Sequence, residues 1–209
     1  QQEAARKLGF NVSRTMQTAQ RLYEAGHITY MRTDSVTLSK TAQNSIKNAI
    51  ETKFGSNYYQ TRNFSIKSKN AQQAHEAVRP TNFLNNVQNL DADQSNLYDL
   101  IWRRSVASQM SDAKVDKTIV IIKSNNHEGV FQSDGEVIKF DGFLKLYIES
   151  KDNQNNDDSQ NNVLPNFNEG ERITKDKILV TQIFSKPPFR FTEASLVKKL
   201  EELGIGRPS

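Results

Sequence analysis

The sequence contains no cysteine. That excludes disulfides and thiolate metal sites, and it fits a reducing cytoplasm. No apolar run reaches the roughly 20 residues that a membrane-spanning helix needs. No secretory leader opens the chain, because Gln1 to Lys7 is polar and helix-like. The first residue is not Met, so the sequence reads as an internal stretch of a longer protein. There is no internal repeat. The three histidines, His27, His75 and His127, show no His-x-His spacing, which argues against the paired-histidine metal site of a rolling-circle relaxase.

What is present is ordinary for a globular protein. Hydrophobic residues make up 35% of the 209 residues and charged residues 25%, so neither disorder nor a membrane protein fits. Net charge is +4 but uneven. The first 80 residues hold 12 Lys and Arg against 5 Asp and Glu, and the remainder holds 16 against 19. A basic N-terminal part suits a phosphate backbone as partner, although a solvated helical surface would carry the same excess.

Periodicity predicts a mixed α and β chain. A helix starts near Ser13, which can cap it, with Met16, Ala19, Leu22 and Tyr23 at helical spacing and Gly26 as its stop. His27 to Met31 reads as a short strand. Ser39 caps a second helix bearing Ile46, Ala49, Ile50 and Phe54, ended by Gly55. Helix, strand and helix, rich in Arg and Lys, suggest a winged-helix-like element. Ala71 to Val78 reads as a short helix ended by Pro80. Asp91 or Asp93 caps a longer helix through Met110, with Leu97, Leu100, Ile101 and Val106 inward. The period then changes to two. Strands are expected at 118–123, 130–132, 136–140 and 144–149, with turns at Asp134-Gly135 and Asp141-Gly142. The polar tract 151–162 reads as a loop. Strands resume near Ile173 and over 178–184, Pro187-Pro188 ends them, and Thr192 caps a last helix with Leu196, Val197, Leu200 and Leu203 inward.

The stretch that carries chemistry is Ile28-Thr29-Tyr30-Met31-Arg32-Thr33-Asp34-Ser35. In a strand, alternate side chains share a face, so Tyr30, Arg32 and Asp34 would point together. A phenol ionises near pH 10, so a tyrosine nucleophile needs help at neutral pH. A neighbouring guanidinium favours the phenolate and grips phosphate oxygens with its fork. Asp34 could orient Arg32. On residue types alone, a half-buried tyrosine beside a surface ion pair is the better account.

The full string resembles the active-site segment of the type IA DNA topoisomerases. Three more segments resemble that family, in its order: Arg21 to Gly26, Ala74-His75-Glu76-Ala77-Val78-Arg79-Pro80, and Phe191 to Val197 followed by Gly204-Ile205-Gly206-Arg207-Pro208-Ser209. Met31 after the tyrosine resembles the bacterial topoisomerase I branch; the topoisomerase III and reverse gyrase branches are alternatives within the family. The resemblance implies that Tyr30 attacks single-stranded DNA and forms a 5′-phosphotyrosyl bond. Arg32 would hold the scissile phosphate. His75 would help place DNA and interact with Asp34, and Arg207 would contact DNA.

The resemblance also implies a layout. Residues 1–116 would form an α-rich domain bearing Tyr30, 117–186 the β strands of an arch in a toroid, and 187–209 the start of a further helical DNA-binding domain. The family's acidic Toprim domain, which holds Mg²⁺, has no counterpart here. Asp91-Ala92-Asp93 lacks a third acid and precedes a helix, so it reads as capping. Mg²⁺ is therefore expected in the full-length enzyme but at no site in this chain. Expected partners are single-stranded and negatively supercoiled DNA and the remaining domains of the same protein, with no membrane. A non-enzymatic winged-helix DNA-binding module is the alternative from another class. Only the enzyme reading needs the Tyr30 hydroxyl.

Overall fold

The structure is a computed structural model, and it describes residues 1–64, 76–84, 87–125, 128–148, 167–174, 177, 179–180, 182, 184–185 and 187–205. Five α-helices and one antiparallel strand pair are found among them: α1 Gln2–Leu8, α2 Val12–Glu24, α3 Lys40–Lys53, α4 Ala92–Ala107, β1 Lys114–Lys123, β2 Val130–Phe140 and α5 Glu193–Glu202. The mixed α and β class is as expected. Short 3₁₀ turns occupy Ser56–Tyr58 and Gly142–Lys145.

The helix starts follow local capping chemistry. Ser39 caps α3 by accepting the Ala42 N–H. Asp91 caps α4 in a reciprocal capping box with Gln94, and Thr192 does the same for α5 with Ser195. In α2 the cap is Asn11, whose side chain accepts the Arg14 N–H at 2.7 Å; Ser13 lies two residues too late and sits inside the helix. The face of α2 also differs from expectation. Thr15, Thr18, Ala19 and Leu22 are the buried set, while Tyr23 is 40% exposed. Threonines at the right spacing took core positions that an apolar count passes over. Helix α4 ends at Ala107 rather than Met110, with Ser108 as its C-cap. In α5 only Ala194 is buried, and Leu196, Leu200 and Leu203 are exposed.

The β segment departs further. β1 and β2 form one continuous ribbon in which Gly135 pairs with Thr118 and Asp134 with Ile119. Asp134-Gly135 is therefore mid-strand, not a turn. Expected strand 144–149 is replaced at its start by the 3₁₀ turn over Gly142–Lys145. No strand forms among the described residues of 167–190. A ribbon of two strands cannot bury both faces, so Ile119, Ile121, Val130, Phe131 and Ile138 stay exposed. The tract 151–162 and most of the expected helix 71–78 lie outside the described residues; Glu76 to Val78 are not helical.

The chain divides into two compact units, Gln1–Ala113 with Asp141–Asp152 and Phe191–Ser209, and Lys114–Phe140 with Asn153–Arg190. The first unit has two cores. One joins Ala4, Phe10, Ala19, Leu22, Ile28 and Leu97, and the other Ile46, Ala49, Ile50, Phe83, Val106 and Met110. The second core is closed on one side by residues that follow β2. Phe143 and Leu146 pack on it. Tyr58 donates to Asp141 at 2.7 Å. Gly142 has φ +49° and lies so close to Ser111 and Asp112 that a Cβ would sit 2.5 Å from the Ser111 carbonyl oxygen.

Candidate functional site

The site begins where α2 ends. Gly26, at φ +76°, turns the chain back, and the His27 N–H bonds the Leu22 carbonyl at 2.9 Å. Ile28 then enters the first core at 1% exposure, and Met31 packs against the same cluster. Two apolar anchors thus bracket Thr29 and Tyr30.

The expected strand 27–31 contracts to a single bridge between Ile28 and Pro80. Around that bridge the pairing is dense. The Thr29 N–H bonds the Arg79 carbonyl at 2.9 Å and the Thr81 N–H bonds the His27 carbonyl at 3.0 Å. The Thr29 hydroxyl donates to the Ala77 carbonyl at 2.7 Å and accepts the Arg79 N–H at 2.9 Å. Among the described residues only a short segment partners it, and the chain bends at Met31 and Arg32, so no ladder propagates there.

Tyr30 stands 43% exposed with its ring edge-on to Tyr23, centroids 5.1 Å apart. Both rings line an open cleft of about 500 Å³ with Ile28, Thr29, Thr33 and Glu76. Beyond Tyr30 exposure alternates: Arg32 and Asp34 are exposed, and Met31, Thr33 and Ser35 are half-buried. The sequence's alternation survives as a pattern of exposure without a strand. Among the described residues Arg32 and Asp34 make no ion pair with each other or with another group, so the expected orientation of Arg32 by Asp34 is not made. His75 and Arg207 lie outside the described residues.

Sequence reasoning missed Glu76 and Arg79. The Arg79 guanidinium forks onto the Glu76 carboxylate, Nε to Oε1 at 2.7 Å and Nη2 to Oε2 at 2.8 Å. Glu76 Oε1 also accepts the Ser39 N–H at 2.9 Å. Burial by itself raises the Glu76 pKa, but the hydrogen bonds from Arg79 and Ser39 outweigh it and hold the carboxyl below its ordinary value. Both residues stood inside the 74–80 signature. Their spacing of three was a legible hint of a pair, but not of a partner at Ser39.

The acids considered for a metal are engaged elsewhere. Asp91 caps α4 and takes Arg21 at 2.8 Å. Asp93 receives the Arg14 fork at 2.8 and 2.7 Å, and that hydrogen-bonded pairing lowers its pKa. Among the described residues no group of three His, Asp or Glu side chains could hold a metal ion. These residues do not fit a Mg²⁺ site.

An exposed tyrosine on a bracketed loop beside an uncommitted arginine suits phosphodiester chemistry, and the comparison with known proteins decides the family. Residues 1–209 match the model of a family described as DNA topoisomerase. The chain belongs to this family. All of it aligns with DNA topoisomerase 1 of Rickettsia prowazekii, 47% identical over 223 residues, and with DNA topoisomerase 1 of Streptomyces coelicolor, 48% identical over 218. It spans 28% and 23% of those proteins. Among solved structures, full-length topoisomerase I from Thermotoga maritima superposes with a TM-score of 0.80 at 37% identity, covering all of this chain and 34% of that one. A topoisomerase segment of this kind is therefore a piece of a much longer architecture in its relatives. No helix among the described residues is long and apolar enough to cross a membrane.

Proposed function

We propose that the chain is the strand-cleaving segment of a type IA topoisomerase, with Tyr30 as nucleophile. The Tyr30 Oη attacks the phosphorus of one DNA strand. The phenol gives up its proton as the bond from phosphorus to the 3′-oxygen breaks; the 5′-phosphate stays on the tyrosine, and the 3′-oxygen takes up a proton and leaves as a hydroxyl. The phosphotyrosyl ester conserves the energy of the backbone bond, so rejoining after strand passage needs no ATP. The observation that carries this reading is the placement of Tyr30: exposed on an open cleft, fixed by Ile28 and Met31 on either side, next to an exposed Arg32 that is free to take a phosphate. His75 and Arg207 are further DNA contacts on this reading.

The rest of the proposal concerns the whole protein. It relaxes negatively supercoiled DNA in the cytoplasm, and the Toprim acids that take Mg²⁺ lie outside this chain. Its share of the toroid is proposed as 1–116, 117–186 and 187–209, with Asp141–Asp152 and Phe191–Ser209 folded in the same compact unit as Tyr30. Alone, the chain binds single-stranded DNA weakly through its basic first part and relaxes no plasmid.

Covalent trapping tests the reading. In the full-length protein with end-labelled single-stranded DNA, Tyr30→Phe abolishes the adduct and largely preserves DNA binding, because the ring and the basic surface remain. A Phe variant that still forms the adduct would refute Tyr30 as nucleophile. Absence of any adduct in the wild-type protein, with DNA binding intact, would favour a non-enzymatic DNA-binding module.

A further inference from the structure

The loop that carries Tyr30 and Arg32 has two feet, and one short segment holds both. The first foot is residues 27–29, tied to 77–81 by the Thr29, Thr81 and Arg79 hydrogen bonds. The second is residues 37–39. There the Ala77 N–H bonds the Thr37 carbonyl at 2.9 Å, and Glu76 accepts the Ser39 N–H at the start of α3. Between the feet lie Tyr30 to Val36, with no regular secondary structure. Side chains close the arrangement. Arg79, whose backbone grips the first foot, forks onto Glu76, whose carboxylate grips the second. Arg79 Nη1 also donates to the Pro80 carbonyl at 2.8 Å, fixing its own fork. The pair is half-buried, with side-chain exposures of 14% and 27%, so water competes little for it.

We infer that the Glu76–Arg79 pair is a positioning clamp for Tyr30 and Arg32, setting the separation of the loop's two feet and thereby where the phenol and guanidinium meet the scissile phosphate. The inference rests on Tyr30 being the nucleophile. Neither clamp residue touches DNA on this account; both act through the loop. The bidentate fork is what makes the pair a spacer. A single contact lets the two feet swing, whereas two parallel hydrogen bonds fix both distance and orientation.

The clamp is tested in the full-length protein. Arg79→Lys keeps the charge and loses the fork. Placement errors of about 1 Å cost on the order of a hundredfold in rate, so single-turnover cleavage of a DNA oligonucleotide falls by about tenfold or more. Affinity for the same oligonucleotide stays within about twofold, because the change falls on the reacting geometry rather than on ground-state binding. A readout independent of activity is the ¹⁹F resonance of 3-fluorotyrosine at position 30, which shifts or broadens in Arg79→Lys. Ile50→Val, in the second core and away from the loop, serves as a control for general destabilisation and leaves both readouts unchanged. Should Arg79→Lys not fold, Glu76→Gln is read by the same criteria, since it retains an amide oxygen for Ser39 and cannot accept the full fork. Wild-type cleavage in the clamp variants overturns the inference. So does slow cleavage with an unmoved fluorine signal, or a control variant that behaves like Arg79→Lys. A Tyr30→Phe protein that still cleaves overturns the nucleophile instead, and the fluorine measurement then stands apart from that failure.

Discussion

Replacing Thr29 by Val isolates a single hydroxyl next to Tyr30. The two side chains are nearly isosteric and equally β-branched, so the backbone preference is kept. The hydroxyl donates to the Ala77 carbonyl at 2.7 Å and accepts the Arg79 N–H at 2.9 Å. Each such bond is worth about 0.5–1.5 kcal/mol net, and a stranded buried partner costs about 1–3 kcal/mol. Thr29, Ala77 and Arg79 are only half-buried, so water recovers part of that cost. A loss of about 2 kcal/mol follows. With a urea m-value of roughly 2 kcal/mol/M, the unfolding midpoint falls by about 1 M. The assay uses the single tryptophan of the sequence, Trp102, which packs on the second core and donates to the Phe83 carbonyl. Thr29→Ser keeps the hydroxyl and loses one methyl, costing about 1 kcal/mol or less. If Val matches wild type, or Ser is as damaging as Val, the hydroxyl does not hold the loop and the account of the first foot is wrong.

Three other outcomes follow from the same geometry. Arg32→Lys keeps the charge and loses the fork, so adduct formation in the full-length protein drops strongly while DNA affinity changes little; equal cleavage by Lys and Arg variants would reduce Arg32 to a surface charge. Gly142→Ala meets both a left-handed φ and a backbone clash at 2.5 Å, for a combined cost of about 2–5 kcal/mol. Gly9→Ala, at φ +66° with open space, costs only the conformational part, about 1–2 kcal/mol, and parity of the two in urea unfolding would contradict the close approach. Acid unfolding reports on Glu76: because its folded pKa is lowered, its contribution is complete above the ordinary carboxylate value near pH 4.3 and is lost as pH falls through the lower folded value. Glu76→Gln is therefore less stable at neutral pH and closes the gap to wild type as the medium is acidified, and a gap that stays constant with pH would show the carboxylate to be unlinked.

How much of this was legible in the sequence depends on the range of the interactions. Helix caps lie within three residues of what they cap, and Ser39, Asp91 and Thr192 are readable for that reason. The α2 cap was misplaced by two residues because Asn11 and Ser13 offer the same chemistry, and only the backbone decides between them. Strands fared worse. The period-two stretch 118–123 found its partner in 130–135, and 136–140 paired with 114–117, but the expected break at Asp134-Gly135 did not occur because Gly135 pairs with Thr118 in the middle of the ribbon. A strand is defined by its neighbour, and a turn dipeptide flanked by residues that already have one need not turn.

Tyr30 and Arg32 differ in the same way from the residues that hold them. Tyr30 and Arg32 sit two apart and announce themselves as a phenol and a guanidinium. Their supports come from 40 to 54 positions away, through backbone groups common to all residues but proline: the Thr29 N–H to the Arg79 carbonyl, the Thr81 N–H to the His27 carbonyl, the Ala77 N–H to the Thr37 carbonyl. No residue identity encodes those bonds. Loops place side chains less accurately than helices or strands do, and Tyr30 lies on a loop. The geometry compensates with two apolar anchors, two pinned feet and a charged fork between the pins. On the proposed reading, cleavage is sensitive to placement errors of about 1 Å, which these contacts would limit. On the proposed reading segment 76–81 positions Tyr30 and Arg32, and substitutions there should resemble those at Arg32 more than those in the core.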